Sequence, residues 1–186
     1  MKNVLIVLSG PSGVGKGTLA KMLKDRIDMK VSISCTTRSP RVGEENGKDY
    51  FFISKEEFLE KIDNDGFLEY SNHFGNYYGT PKDYVEKVLK EKDVLLEIDV
   101  NGGLSVKKAD SNAKLIFLAP PSTEELKARL IKRNTETEEK IAERLSRLDY
   151  EMSKQCEYDY TVINDDLEET YKKIIEIINK EKGELL

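Results

Sequence analysis

The sequence contains a glycine-rich stretch, GPSGVGKGT at residues 10–18, whose spacing suits the binding of phosphate groups. Gly10, Gly15 and Lys16 match the pattern G-x-x-x-x-G-K, in which glycines let backbone N–H groups converge on phosphate oxygens. Lys16 can bridge the β- and γ-phosphates of a nucleotide. A plain glycine-rich turn is the alternative, but an apolar strand pattern before the loop and a helical pattern after it favour a P-loop.

The residue after the lysine departs from the common P-loop pattern. A serine or threonine usually stands there and offers its hydroxyl to magnesium. This chain has Gly17 instead and places the hydroxyl one residue later, at Thr18. The motif predicts binding of nucleotide phosphates by the whole loop and leaves open how the metal is held. The predicted nucleotide contacts in the loop are Gly10, Pro11, Ser12, Gly13, Val14, Gly15, Lys16, Gly17 and Thr18.

A P-loop occurs in switch GTPases, in ATPases and in small kinases, so it does not choose among them by itself. A switch GTPase needs the guanine-reading motif N-K-x-D. The nearest match here, NKEK at 179–182, lacks the aspartate and lies near the end of the sequence. Guanine recognition of the switch type is therefore not predicted.

A second phosphate-binding pattern lies in a polar stretch well after the P-loop. Arg38 and Arg41 are three residues apart, and Tyr50 follows them. Guanidinium groups suit phosphate because they donate hydrogen bonds in pairs. Surface ion pairs are the alternative for arginines in a loop.

Glu69, in the strand-like piece FLEY, is a candidate reader of guanine. A carboxylate accepts two hydrogen bonds, and guanine offers adjacent N1–H and N2–H donors that adenine lacks. Such a glutamate would reject adenine because its lone pairs would be left without partners; an ordinary strand-edge carboxylate is the alternative. Tyr77, Tyr78 and Thr80 follow, and the adjacent tyrosines point opposite ways in a strand, so one of them is expected to pack.

The rest of the sequence shows alternating strand and helix patterns. The strand-like runs are almost continuously apolar, as expected for strands covered on both faces. Helical patterns such as KGTLAKMLKDRI and YKKIIEIINK separate most of them, which predicts an α/β fold with a parallel sheet. The five predicted strands are Val4–Leu8, Val31–Ser34, Val94–Ile98, Leu115–Leu118 and Tyr160–Ile163.

Helix starts are marked by capping patterns. Serine followed three residues later by glutamate predicts a capping box, and threonine before proline predicts an N-cap and a first helical residue. These patterns occur at Ser54 with Glu57, at Ser122 with Glu125, and at Thr80 with Pro81.

Two stretches interrupt the alternation. Residues 36–80 hold shorter and more polar strand-like pieces, which predict a small insert of short strands with one helix. Residues 124–150 are rich in both signs of charge, and a solvated helix pair is the simplest interpretation.

Composition narrows the class of protein. The chain has 186 residues and a net charge of −5, which fits one domain with small subdomains and argues against nucleic-acid binding. The two cysteines, Cys35 and Cys156, lack zinc-ligand spacing. The apolar run at the N-terminus is too short for a signal peptide or a membrane span, so we expect a cytoplasmic protein with reduced thiols and no membrane partner.

Together these motifs resemble the guanylate kinase family over essentially the whole chain. TTRSPRVGEENGKDY, GNYYGTP, EIDVNGG and INDDL stand in the order and spacing of that family. The resemblance implies a P-loop NTPase core with a five-stranded parallel sheet and flanking helices, a small GMP-binding insert and a helical lid. The implied core is 1–31, 83–123 and 156–186, the insert is 32–82, and the lid region is 124–155.

The resemblance also implies roles for individual residues. Lys16, Arg41, Arg133 and Arg144 would surround the transferring phosphoryl group. Arg129, Asn164 and Asp165 would join the P-loop in binding ATP, Asp99 would orient Mg²⁺ through water, and Thr18 is a second candidate for the metal. The implied GMP-binding residues are Ser34, Arg38, Arg41, Tyr50, Glu69, Tyr78, Thr80 and Glu97; at position 97 the family often has aspartate.

The implied reaction transfers the γ-phosphoryl group of ATP to GMP and gives ADP and GDP, with dGMP as a further acceptor. Three alternatives remain: a kinase for another monophosphate, a kinase-like module that binds peptides, and a P-loop switch or regulatory ATPase. The presence of Lys16, Arg41 and both lid arginines disfavours the peptide-binding module. The sequence leaves the oligomeric state open between monomer and homodimer.

Overall fold

A five-stranded parallel sheet forms the centre of the protein. The computed structural model describes residues 3–73, 75–132 and 138–183. The sheet consists of Leu5–Ser9 (β1), Met29–Val31 (β2), Asp93–Glu97 (β7), Lys114–Ala119 (β8) and Tyr160–Ile163 (β9), in the order β2-β7-β1-β8-β9. The predicted fold class is confirmed.

The five predicted strands are all present, with one informative shift. The strand predicted at Val31–Ser34 is observed as Met29–Val31. Beyond it, the Ser32 amide still donates to the Leu95 carbonyl, but the Ser34 carbonyl accepts from the Phe51 amide of a different sheet. The chain leaves the parallel sheet at this point, which a run of apolar residues does not reveal.

Helices cover both faces of the parallel sheet because successive strand residues point to opposite sides. Ile6 and Leu8 pack in one core, and Leu5 and Val7 pack in the other. The helices in the first core are Lys16–Arg26 (α1), Thr123–Lys132 (α5), Glu138–Ser153 (α6) and Leu167–Lys182 (α7). The helices in the second core are Lys82–Leu89 (α3) and Val100–Ala109 (α4).

A second, smaller sheet occupies the predicted insert region. It consists of Cys35–Thr36 (β3), Phe51–Phe52 (β4), Phe67–His73 (β5) and Asn76–Pro81 (β6), in the order β4-β3-β6-β5, with one helix, Lys55–Asp63 (α2). It has its own small core, in which the rings of Phe58 and Phe67 stack 4.4 Å apart. The expectation of short strands with one helix is met, whereas the boundaries at 32–82 and 124–155 remain predictions.

The capping predictions fare differently. Ser54 and Glu57 form both bonds of a capping box, and the Glu125 amide donates to Ser122 Oγ at 3.1 Å. The prediction at Thr80 is wrong: α3 begins at Lys82, and its N-cap is Pro81. The Thr80 hydroxyl donates instead to Glu69, a partner that local sequence patterns do not indicate.

Within the described part of the chain, no helix has the length and apolar character needed to cross a membrane.

Candidate active site

The P-loop lies where β1 ends and α1 begins, at the carboxyl edge of the parallel sheet. Open α/β sheets bind ligands at this edge, next to the central strand from which the connections run to opposite sides of the sheet. Gly15 has a φ of 108°, and a Cβ there would lie 2.5 Å from Asn164 Nδ2. Glycine at this position therefore satisfies both an uncommon backbone conformation and a close approach.

The Lys16 ammonium group bonds to its own loop. Its Nζ atom donates to the carbonyl oxygens of Gly10 at 2.6 Å and of Pro11 at 3.1 Å. Its charge also acts on two nearby carboxylates, Glu97 and Glu151. Lys16 is thus a cation among carboxylates in the cleft, at the position where a nucleotide's phosphates would bind.

Glu151 is a cleft residue that the sequence analysis missed. Its Oε2 accepts a hydrogen bond of 3.3 Å from the amide of Ser12 in the P-loop. Burial, chiefly, and then Asp99 raise the pKa of this carboxyl, whereas Lys16 and Arg147 lower it. It directly follows the charge-rich stretch 124–150, which is typical of a solvated helix pair, so nothing local distinguishes it from its neighbours.

Gly17 lies against a carboxylate rather than against empty space. A Cβ added at this residue would be 3.3 Å from Glu97 Oε1. Glu97 ends β7, which pairs with β1 beside the P-loop. An acidic oxygen therefore occupies the space next to the position where most P-loops carry a hydroxyl.

Asp99 is the N-cap of α4 and lies beside the P-loop. Its Oδ1 caps the helix by accepting from the Gly102 amide at 2.8 Å, and its carbonyl accepts from Ser9 Oγ at 3.2 Å. These bonds fix its position at the rim of a cleft of about 610 Å³. That cleft is also lined by Ser12, Lys16, Glu97, Arg147 and Glu151.

Arg38 and Arg41 are joined through a third residue, Glu44, that the sequence analysis did not select. Glu44 Oε1 accepts from Arg38 at 2.9 Å, and Glu44 Oε2 accepts from the Arg41 amide at 2.7 Å. The Arg38 guanidinium, first, and the Arg41 amide hold the pKa of the Glu44 carboxyl below its usual range. The spacing of Glu44, three residues after Arg41, is the signal that could have identified it, because a glutamate side chain can reach back to the backbone N–H three residues earlier.

The tyrosines of this region have separate environments. The ring of Tyr77 packs 5.3 Å from that of Phe58 in the small core, which confirms that one of the adjacent pair packs. The Tyr78 ring lies 6.1 Å from Tyr50, and the Arg38 guanidinium lies 5.5 Å from the Tyr50 ring. Arg38, Tyr50 and Tyr78 are therefore brought together, whereas Tyr77 faces the other side of β6.

Glu69 is buried, with 8% of its surface exposed. Its Oε1 accepts a 2.6 Å hydrogen bond from the Thr80 hydroxyl on the neighbouring strand, and its Oε2 would be 3.1 Å from a Cβ at Gly102. Burial, chiefly, raises the pKa of Glu69 to about 7; the Thr80 bond opposes the shift and Asp99 adds to it. Such a group changes charge close to neutral pH.

A smaller cavity of about 180 Å³ lies between the two sheets. Glu97 and Ile98 line both this cavity and the larger cleft, so the two are neighbours. The smaller cavity is also lined by Ser32, Ser34, Tyr50 and Thr80. A ligand there would lie beside the P-loop cleft, with Glu97 between the two.

The remaining predicted ATP contacts differ in what the structure describes. Asn164 is buried and donates from Nδ2 to the Val14 carbonyl at 2.7 Å, so it braces the P-loop, and Asp165 beside it is exposed. Arg129 and Arg144 lie on α5 and α6, of which only the backbone is described at these positions. Arg133 lies outside the described residues.

The acidic residues of the cleft suit a metal that arrives with a nucleotide. Among the described residues, no group of three or more histidine, cysteine, aspartate or glutamate side chains forms a metal cage. Magnesium in kinases is held by one or two carboxylates together with substrate phosphates and water. The carboxylates of Glu97 and Asp99 at the rim of the cleft fit that pattern.

Comparisons with known proteins find guanylate kinases that match nearly the whole chain. The family model described as Guanylate kinase matches residues 2–181. The guanylate kinase of Clostridium perfringens (strain 13) is 50% identical over 183 residues, covering 97% of this chain and 85% of that protein. The guanylate kinase of Bacillus anthracis is 53% identical over 180 residues, covering 95% of this chain and 88% of that protein. The crystal structure of guanylate kinase from Anaplasma phagocytophilum matches with a TM-score of 0.75 and 36% identity, covering 97% of this chain and 86% of that chain.

Proposed function

The chain belongs to the guanylate kinase family and phosphorylates GMP with ATP, and we propose that two adjoining parts of the cleft divide this reaction between them. ATP binds at the P-loop end, and GMP binds in the cavity between the two sheets. The position of Glu97 on the border of both cavities supports this division, because the two phosphates must meet there.

On the donor side, the amides of the P-loop and the start of α1 bind the phosphates of ATP. Lys16 exchanges its bonds to the Gly10 and Pro11 carbonyls for bonds to the β- and γ-phosphates. Thr18, in the first turn of α1, serves a phosphate oxygen. Arg129, Asn164 and Asp165 are the proposed contacts of the adenine, and Asn164 also braces the loop through its bond to the Val14 carbonyl.

The divalent metal of this reaction is proposed to be Mg²⁺. Asp99 would hold it through water, Glu97 lies beside the position of the missing P-loop hydroxyl, and Thr18 remains a second candidate. When bound, the metal neutralises charge on the β- and γ-phosphate oxygens.

On the acceptor side, Arg38, Arg41, Tyr50 and Tyr78 hold the phosphate of GMP. Arg38 carries a fixed positive charge close to both tyrosine rings, which suits a dianionic phosphate. Glu44 then releases Arg38, or shares it, when the phosphate arrives.

The bond-making step needs no general base in this arrangement. An oxygen of the GMP phosphate is already anionic and attacks the γ-phosphorus, while the bond from that phosphorus to the β-phosphate oxygen breaks. Positioning and neutralisation of charge supply the catalysis. Lys16, Arg41, Arg133 and Arg144 are the proposed source of that positive charge, the last two from the lid.

The observation that carries the choice of guanine is the buried Glu69 carboxylate bonded to Thr80. A carboxylate there accepts the N1–H and one N2–H of guanine, and adenine has no such pair. Ser34 and Thr80 complete the proposed base contacts from the cavity wall, with Glu97 nearby.

An assay of ADP release with GMP or AMP as acceptor tests the assignment. Wild type is expected to turn over GMP and not AMP. Glu69→Gln is expected to lower kcat/KM for GMP by about 10²-fold, because an amide cannot accept both donors. Full GMP selectivity in that variant would show that Glu69 is not the guanine reader, and Glu56→Gln, an exposed change on α2, is the matched control.

Several finer properties are proposed with this function. The protein is expected to accept dGMP as well, to bind no nucleic acid and to work in the cytoplasm as a monomer or homodimer. Both cysteines, Cys35 and Cys156, are free, which suits a reducing compartment.

A further inference from the structure

The segment 32–34 joins the two sheets and borders the proposed GMP cavity. The Ser32 amide donates to the Leu95 carbonyl of the parallel sheet at 2.9 Å. The Ser34 carbonyl accepts from the Phe51 amide of the smaller sheet, also at 2.9 Å. Ser32 therefore belongs to the core side of the cavity, and Ser34 belongs to the insert side.

The Ser32 hydroxyl is buried without a partner. Among the described residues, Ser32 Oγ alone is a solvent-inaccessible side-chain oxygen or nitrogen atom that makes no hydrogen bond. Leaving such a group unpaired costs free energy, so an unpaired hydroxyl in a native protein calls for an explanation. A ligand that supplies the missing bond is one such explanation.

The position of Ser32 favours that explanation. It lines the same 180 Å³ cavity as Ser34, Tyr50 and Thr80. Ser32 and Ser34 are two residues apart in a segment that follows directly on β2, and that spacing puts both side chains on one side of an extended chain. Ser32 thus borders the space in which the base of GMP is proposed to bind, and rotation about χ1 would turn its buried Oγ toward that space.

We propose that the Ser32 hydroxyl is a specificity-determining contact that donates to the acceptor edge of guanine, formed by O6 and N7. This inference rests on the proposed binding of GMP in the cavity. Glu69 would accept N1–H and one N2–H, and the Thr80 hydroxyl already gives its hydrogen to Glu69. The acceptors O6 and N7 then need donors. The hydroxyls of Ser32 and Ser34 can supply them, whereas the other free hydroxyl of the lining, that of Tyr50, is proposed to serve the phosphate.

The consequence is that guanine would be held from both sheets at once. Glu69, Thr80 and Ser34 contact the base from the smaller sheet and its border, whereas Ser32 contacts it from the parallel sheet that carries the P-loop. A base bonded to both would fix the acceptor phosphate relative to the donor, which is the positioning that phosphoryl transfer requires.

The first test measures GMP kinetics and thermal unfolding of Ser32→Ala, with exposed Ser111→Ala as the matched control. We expect the KM for GMP to rise about tenfold with kcat nearly unchanged, because one hydrogen bond to the base is lost. Without GMP, the unfolding temperature should stay level or rise, since the substitution removes an unsatisfied group. Ser32→Cys, which replaces the oxygen by a larger sulfur that donates only weakly, is the second variant, and its KM for GMP should lie between those of wild type and Ser32→Ala.

The second test identifies the atom that receives the bond. Wild type and Ser32→Ala are compared with GMP, 7-deaza-GMP, which lacks N7, and 6-thio-GMP, in which the O6 acceptor is weakened. The tenfold penalty of Ser32→Ala should shrink for the analogue whose altered atom is the partner of Ser32.

Two results would overturn the inference: an unchanged KM for GMP in Ser32→Ala and Ser32→Cys, or the same penalty with all three acceptors. Wild-type turnover of GMP in the same assay separates this failure from failure of the proposed function. If wild type turns over GMP while the Ser32 variants behave as wild type, only the role of Ser32 is wrong. If wild type does not turn over GMP, the proposed function itself is wrong.

Discussion

The donor and acceptor parts of the cleft are built in different ways. The donor part is one continuous loop between β1 and α1, and the groups proposed to bind phosphate are mainly backbone amides together with Lys16. The acceptor part is assembled from side chains on separate strands and loops, such as Arg38, Tyr50, Glu69 and Thr80. The donor part is therefore suited to the phosphates of any nucleotide, whereas the acceptor part is suited to one base and one monophosphate.

This difference separates rate from selectivity. A change on the donor side or in the lid should slow transfer to every acceptor alike, because no base contact is lost. A change on the acceptor side should alter the preference among monophosphates, because selectivity is a difference between affinities.

The largest effect is expected from Arg144→Ala in the proposed lid. Removing a cation from the phosphoryl-transfer site should lower kcat about 10³-fold and leave the KM for GMP within a few-fold. Steady-state kinetics with GMP measure kcat and KM, and comparison with AMP as acceptor measures the preference for GMP. Arg26→Ala is the control, since this arginine makes an exposed ion pair with Glu168 away from the cleft. A normal kcat would remove Arg144 from the site, and a changed GMP preference would break the separation itself.

Below the pKa of Glu69, we expect the KM for GMP to rise about tenfold for each unit by which the pH falls. Burial, chiefly, raises this pKa to about 7, and only the ionised form accepts both guanine donors. The KM for GMP should therefore rise about tenfold for each unit below pH 7 and stay flat above it. The GMP phosphate also titrates near pH 6, so Glu69→Gln is the reference profile. Matching profiles for wild type and variant would contradict the prediction.

The same group should affect folding stability with a defined sign. The pKa of Glu69 is higher in the folded protein, about 7, than the ordinary value of 4.5. The folded state then binds more protons between these values, so its stability should fall as pH rises from about 4.5 to 7. Urea unfolding of wild type and Glu69→Gln at several pH values measures this, and equal slopes would indicate that the carboxyl is not buried in solution.

The smallest effect is expected at Gly17. Gly17→Ser places a hydroxyl beside Glu97 Oε1. The added Cβ alone would lie 3.3 Å from that oxygen, so the exposed Glu97 side chain must move slightly. If the hydroxyl reaches the metal, the Mg²⁺ concentration for half-maximal activity should fall about threefold, the effect of one weak ligand. Gly17→Ala separates the hydroxyl from the added carbon. An unchanged Mg²⁺ dependence in the serine variant would mean that the hydroxyl has no role here.

The donor part was the easier of the two to predict from sequence. G-x-x-x-x-G-K is contiguous, so Gly10, Gly15 and Lys16 identify the loop without knowledge of any distant residue. The five apolar runs likewise predict the strands of the parallel sheet, because a strand covered on both faces needs apolar residues throughout. Alternation with helical patterns then implies the parallel arrangement.

The contacts between distant residues could not be predicted in this way. Glu151 bonds to Ser12 across 139 positions of sequence, and Asn164 bonds to Val14 across 150. Thr80 had a strong local signal as a helix cap, but its hydroxyl pairs with Glu69, because a buried carboxylate needs a donor more than the exposed start of a helix does.

The fold class, the phosphate-binding loop and the residue types available for a guanine site all follow from the amino-acid order. Which of those residues meet depends on packing, which puts Glu97 against Gly17, raises the pKa of Glu69 through burial, and leaves the buried Oγ of the cavity residue Ser32 unpaired. The two kinds of property differ in the distance along the chain over which they arise. Local backbone preferences and hydrophobic periodicity are properties of neighbouring residues, whereas burial and hydrogen-bond partners arise only when distant segments pack together.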